Sequence, residues 1–116
     1  MFNLTNQDID DIMVSALEGG INYWCSKAEV DGNDLGEYAS EQISRGGSLI
    51  LYDIEEAEKY SLTKDKFIKG FEKWVLDLQD IYGAVSLDGN VDTGMIDACA
   101  ADSIIQFAIF GELRYA

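Results

Sequence analysis

The chain has 116 residues, 47% of them hydrophobic, which is room for one domain with a continuous core that needs no metal or disulfide support. Its 22 acidic residues against 8 basic give a net charge of −14, which repels phosphate and argues against direct nucleic-acid binding and against docking on an anionic membrane. There is no histidine, so the usual general base and the commonest metal ligand are missing, and the composition points to a small acidic soluble domain that is not an enzyme.

The opening residues carry neither a basic nor an apolar stretch, so no secretory leader is expected, and no run approaches the ~18 apolar residues of a membrane span. A single domain over 1–116 is the expectation. Thr5 followed three residues later by Asp8 outlines a capping box, the start of an amphipathic helix. Ile9, Ile12, Met13, Ala16, Leu17, Ile21 and Trp24 share about half of its wheel, and Asp8, Asp11, Ser15, Glu18 and Asn22 fill the other arc. Gly19-Gly20 interrupts this pattern at roughly 1 kcal/mol each relative to Ala. Because the apolar phase persists to Trp24, the helix is expected to continue through the pair.

A strand is predicted within residues 23–30, closing at the turn Asp31-Gly32-Asn33, and a short helix over 37–45, stopped by Gly46-Gly47. Residues 48–52 form an apolar run bounded by turn residues, the mark of a strand buried on both faces or nearly so. An acidic loop over 53–58 leads to a return strand at 59–62, making a hairpin. Thr63 caps a second clear helix whose apolar face holds Phe67, Ile68, Phe71, Trp74, Val75 and Leu78, with Lys66, Lys69 and Lys73 opposite. After a glycine-marked loop over 83–90, Asp92 or Thr93 caps the last helix and Gly111 closes it. That helix is apolar in nearly every direction, so it is expected to be the central post of the core or, in part, a homo-oligomer interface. The predicted fold is α+β, with three main helices packed around a small antiparallel sheet.

Few residues carry recognisable chemistry. Asp88, Asn90 and Asp92 begin a calcium-loop pattern, but Thr93 stands where glycine is needed and Cys99 where a bidentate glutamate is needed, so turn chemistry is the reading. Cys25 and Cys99 are read as buried thiols, with activation of Cys25 by Lys27 as the sharper alternative for that residue. Asp97 suits the first turn of the last helix, where the helix dipole favours an anion. Asp102, mid-helix and on one stripe with Gln106, reads either as the helix's solvated edge or as a buried, hydrogen-bonded carboxylate facing a partner or ligand. No cofactor or metal is expected.

Charge is unevenly distributed. Residues 1–58 hold 13 acidic and 2 basic residues, whereas 59–73 hold 5 lysines against Asp65 and Glu72. Asp8, Asp11 and Glu18 form a row along the first helix that can imitate phosphates and occupy a basic groove on a partner protein, with Tyr23 and Tyr38 as exposed aromatic anchors. A plain solubilising role for this face is the competing reading. A second functional reading is a small-ligand pocket near Trp24, Tyr38, Arg45 and Asp102, in which Arg45 and the N–H groups of Gly46-Gly47 hold an anion or nucleotide. A carboxylate and metal hydrolase is the third, and needs coordinating groups to converge.

The segments ALEGGINYWC at 16–25 and GEYASEQISRGG at 36–47 resemble a family of small acidic proteins of phages, prophages and mobile elements of Firmicutes-type bacteria. The likeness continues through Leu62-Thr63 and the Phe-Gly-Glu at 110–112. That family has no assigned activity or catalytic residues. The resemblance implies an accessory protein in a bacterial cytoplasm and, by analogy, an inhibitor of a host defence system.

Overall fold

Thr5 stands in extended backbone, its hydroxyl accepting the Asp8 N–H at 3.0 Å while Asp8 Oδ2 accepts the Thr5 N–H at 3.0 Å. This reciprocal box opens α1 (Asn6–Ser15), as the sequence predicts. The computed structural model that gives this geometry describes residues 2–55, 57–77, 79, 80 and 83–115. Beyond Ser15 the expected continuation is corrected. Ala16–Gly20 widen into a π-helical turn, and residues 21–24 leave the helix altogether. A Cβ on Gly20 would lie 2.6 Å from the Ala98 carbonyl oxygen, so the pair of glycines admits the start of the last helix into space a side chain would fill. The apolar phase survives the change, and Ile21 and Trp24 are both buried.

Three antiparallel strands follow, β1 (Cys25–Asp31), β2 (Ser48–Asp53) and β3 (Lys59–Thr63), in the spatial order β1-β2-β3. Leu49 pairs with Val30 and Leu62, and Leu51 with Ala28 and Tyr60, which turns these side chains to the core. The central strand alternates fully buried and half-buried positions. Between β1 and β2, the helix predicted over 37–45 is corrected to a 3₁₀ turn, Ala39–Glu41, followed by further turns up to Gly46. Side chains compete for the backbone here. Gln42, buried, accepts the Leu35 N–H through Oε1 at 3.0 Å and donates Nε2 to Asn33 O at 3.0 Å, while Glu41 Oε1 accepts the N–H groups of Glu37 and Tyr38 at 2.7 and 3.2 Å.

Thr63 caps α2 (Lys64–Leu76), whose buried Phe67, Phe71 and Trp74 face the core and whose Lys66, Lys69 and Lys73 face solvent. Leu78, expected on the apolar face, lies outside the described residues. The last helix, α3 (Ala98–Phe110), starts later than predicted. Its N-cap is Asp97, which accepts the Ala100 N–H at 2.8 Å, whereas Asp92 caps a separate 3₁₀ turn, Thr93–Met95. Gly111 ends α3 with φ of +71°, as expected of a C-cap glycine. Helices α2 and α3 cross so closely that a Cβ on Gly70 would meet Ala108 N at 2.5 Å.

The buried side chains form one cluster contributed by all three helices and the sheet, so the fold is α+β as predicted. The solvated-edge reading of Asp102 and Gln106 is overturned, since both are buried. The edge of α3 that does meet solvent carries Cys99, which corrects its reading as a buried thiol; Cys25 is buried. Among the described residues no helix is long and apolar enough to cross a membrane.

Candidate functional site

The acidic row along α1 and its π-helical turn divides once its neighbours are known. Asp8 is half-buried in the capping box, and Asp11 accepts Gln7 Nε2 at 2.8 Å and the Thr93 hydroxyl at 2.9 Å, tying α1 to a loop 82 residues away. Glu18 alone of the three is exposed and has no partner among the described residues. Asp10 adds a carboxylate on this helix whose Oδ1 is shut off from solvent without a hydrogen-bond donor among the described residues.

Glu18 and Tyr38 line one open groove. Tyr38 is 65% exposed, and its backbone N–H donates to the Glu41 carboxylate at 3.2 Å. With Val14, Leu17, Ala39 and Ser40 the two residues line an open cavity of about 380 Å³ between the end of α1 with its π-helical turn and the 3₁₀ turn. Leu17 and Ala39 are shared with a second cavity of about 230 Å³, which runs on past Ile21, Asn22 and Cys25 to Lys27 and Ala28 of β1. Glu37 and Asp34, also exposed and without side-chain partners among the described residues, precede Tyr38 by one and four residues. The nearby cations are already engaged: Lys27 bridges Glu29 at 2.8 Å, and Arg45 lies 3.7 Å from Glu41. An apolar groove carrying one exposed carboxylate without a partner among the described residues suits a basic, partly apolar group.

Tyr23 belongs to a different place. Its hydroxyl donates to Asp102 Oδ2 at 2.6 Å, Trp24 Nε1 donates to Asp102 Oδ1 at 2.7 Å, and Gln106 Nε2 reaches both carboxylate oxygens at 3.1 and 3.0 Å. Burial, and then the hydrogen bond to the carboxylate, push the Tyr23 hydroxyl above the ordinary tyrosine range. Gln106 also clamps the segment after Gly111: its Oε1 accepts the N–H groups of Arg114 and Tyr115, each at 2.8 Å, and its Nε2 donates to Tyr115 O at 3.1 Å. Tyr115 then stacks on Trp24 with ring centroids 5.6 Å apart and donates its hydroxyl to Asp53 at 2.6 Å. Asp53, buried at the end of β2, also accepts the Tyr60 hydroxyl at 3.0 Å. Two interior carboxylates are thus held by tyrosine, indole and amide donors. The arrangement fastens residues 114 and 115 over the core. A cavity of about 340 Å³ opens beside it, lined among others by Tyr23, Asp102, Arg114 and Tyr115.

The residues of the small-ligand reading are not brought together. Trp24 and Asp102 meet in the buried network, while Tyr38 lines the groove and Arg45 donates Nη1 to Leu35 O at 2.9 Å. The N–H groups of Gly46 and Gly47 donate to Ile43 O and Gln42 O, so no anion cradle is formed with Arg45. Among the described residues no group of three or more aspartate, glutamate or cysteine side chains is placed to hold a metal ion. Asp88 accepts the Ser86 hydroxyl and the Asn90 amide within the turn, and Asn3 donates to Asn90 Oδ1 at 2.9 Å from near the start of the chain. The sulfur of Cys25 points to Lys27 O at 3.3 Å, and burial raises its thiol above the usual value, which opposes activation.

Comparisons with protein-family models, with curated proteins and with solved structures gave no match. Sequence reasoning did not single out Gln42, Asp53, Tyr60 or Tyr115: Gln42 and Tyr60 bond to groups seven to nine residues away, and Tyr115 reaches Asp53 across 62 residues. Their signal was weak: at most an aspartate at the end of an apolar strand.

Proposed function

We propose that this chain is a non-catalytic binding protein that engages a basic protein partner through the acidic side of α1 and the turn carrying Tyr38. The observation that carries the reading is the pairing of Glu18, exposed and unpartnered among the described residues, with the 65% exposed Tyr38 across one apolar groove. Charge complementarity speeds encounter and selects partners, and a rigid aromatic residue at the centre of the contact supplies affinity. Asp8 and Asp11, engaged within the fold, contribute field more than contact. The resemblance of 16–25 and 36–47 to mobile-element proteins supports a partner in a bacterial cell, with inhibition of a host defence protein as the form of the reading that it favours.

The test uses a lysine- and leucine-containing peptide and its glutamate-substituted counterpart as probes, titrated by calorimetry against the whole chain. Glu18→Lys and Tyr38→Ala should each weaken binding of the basic peptide by about tenfold or more. Asp65→Lys, which changes net charge equally but sits on the lysine-rich helix, should change it less than about twofold. Equal losses for Glu18→Lys and Asp65→Lys would mean that only total charge matters and would refute the reading.

A further inference from the structure

We infer that the bound element of the partner is an extended segment, with apolar side chains at i and i+2 seated in the two cavities on either side of Leu17 and Ala39 and a lysine or arginine against Glu18. The inference rests on the proposed function and narrows it. Both cavities share Leu17 and Ala39, so one ligand backbone crossing that divide serves both. The second cavity is bounded by Lys27 and Ala28 of β1, an outer strand that pairs only with β2 among the described residues. A strand paired on one side presents unpaired backbone groups on the other, and an added strand gains affinity from main-chain hydrogen bonds and specificity from pockets for alternate side chains. Successive same-side residues of an extended chain repeat every ~6.6 Å, whereas a helix would present i and i+3 or i+4 from a body about 10 Å across. The ligand's charge is set by Glu18, which lines the larger cavity and is exposed without a side-chain partner among the described residues. Neither neighbouring cation competes, since Lys27 and Arg45 already face Glu29 and Glu41.

The experiment is a fluorescence-anisotropy titration of the whole chain with a labelled eight-residue peptide alternating lysine and leucine. A second peptide has the same composition rearranged to helical spacing, and a third alternates glutamate and leucine. The alternating basic peptide should bind at least about tenfold more tightly than either of the others. Val14→Trp, at a position already exposed, fills the larger cavity and should weaken that binding by about tenfold or more; Ala39→Trp, at the divide, provides a second obstruction. Circular dichroism melts establish that both variants fold. If Glu18→Lys weakens binding while both tryptophan variants and the rearranged peptide behave like the originals, the extended mode is overturned and the basic-partner reading stands. If Glu18→Lys also has no effect, both fall.

Discussion

Replacing Asp102 with alanine removes the acceptor for the Trp24 indole, the Tyr23 hydroxyl and the Gln106 amide at once. The three losses are unequal. Tyr23 is 49% exposed and its hydroxyl can turn to water, and Gln106 keeps its bonds to Tyr115 O and the Tyr23 oxygen. Trp24 is 1% exposed, so its N–H would be left buried without a partner, at a cost of about 1–3 kcal/mol beyond the lost charge-assisted bond of about 1.5–3 kcal/mol. Against this, the substitution relieves the desolvation of a carboxylate 7% exposed whose donors are all neutral. The net expectation is a loss of about 2–4 kcal/mol, or a fall in Tm of roughly 10–20 °C for a domain of this size. Urea unfolding followed by tryptophan fluorescence at neutral pH measures it, and the m-value should be unchanged. Asp102→Asn keeps an acceptor for the indole and should lose only about 1 kcal/mol. A loss under ~0.5 kcal/mol for Asp102→Ala would refute the assignment of this carboxylate as the indole's buried acceptor.

Alkaline pH should destabilise the fold. Burial, followed by the hydrogen bond to Asp53, pushes the Tyr60 hydroxyl from 10.0 up to about 12, and Tyr23 and Tyr115 are also raised. Unfolded tyrosines ionise first, so the stability from these neutral hydroxyls is complete below pH 10 and is lost as pH rises from about 10 towards 12. Unfolding midpoints that stay level over that range would contradict this, and Tyr60→Phe should reduce the slope. Gly70→Ala gains about 1 kcal/mol of helix propensity but places a Cβ 2.5 Å from Ala108 N, where overpacking costs about 1–3 kcal/mol, so melting should show net destabilisation rather than a gain. Maleimide labelling read by mass spectrometry should modify Cys99 in the folded chain and Cys25 only after unfolding; equal labelling of both would place Cys25 at the surface.

What the sequence made legible was local. The Thr5–Asp8 box, the Thr63 cap, the Gly111 stop and the three strands follow from contacts a few residues apart and from short runs bounded by turn residues, and the structure contains each of them. The helix predicted over 37–45 failed because Glu41 and Gln42 bind backbone within 33–38, a competition that periodicity does not register. Asp102 was ambiguous for a different reason. Its donors Tyr23 and Trp24 lie 79 and 78 residues away, and only the fold brings them to α3. The same holds for the candidate site. A helical wheel gives the direction of Asp8, Asp11 and Glu18 but not their neighbours, so it could not show that Thr93 engages Asp11 or that Tyr38 shares a groove with Glu18.

The central claim is that a basic partner is held at one place on the acidic side rather than by the charge of the whole chain. Backbone amide shifts of the isotope-labelled protein, followed by NMR during titration with the alternating lysine and leucine peptide, locate that place directly. The account predicts shifts concentrated at 14–18, 27, 28 and 37–40 that saturate with one equivalent of peptide. Shifts spread over the acidic surface, or centred on the residues around Asp102 and Tyr115, would contradict it.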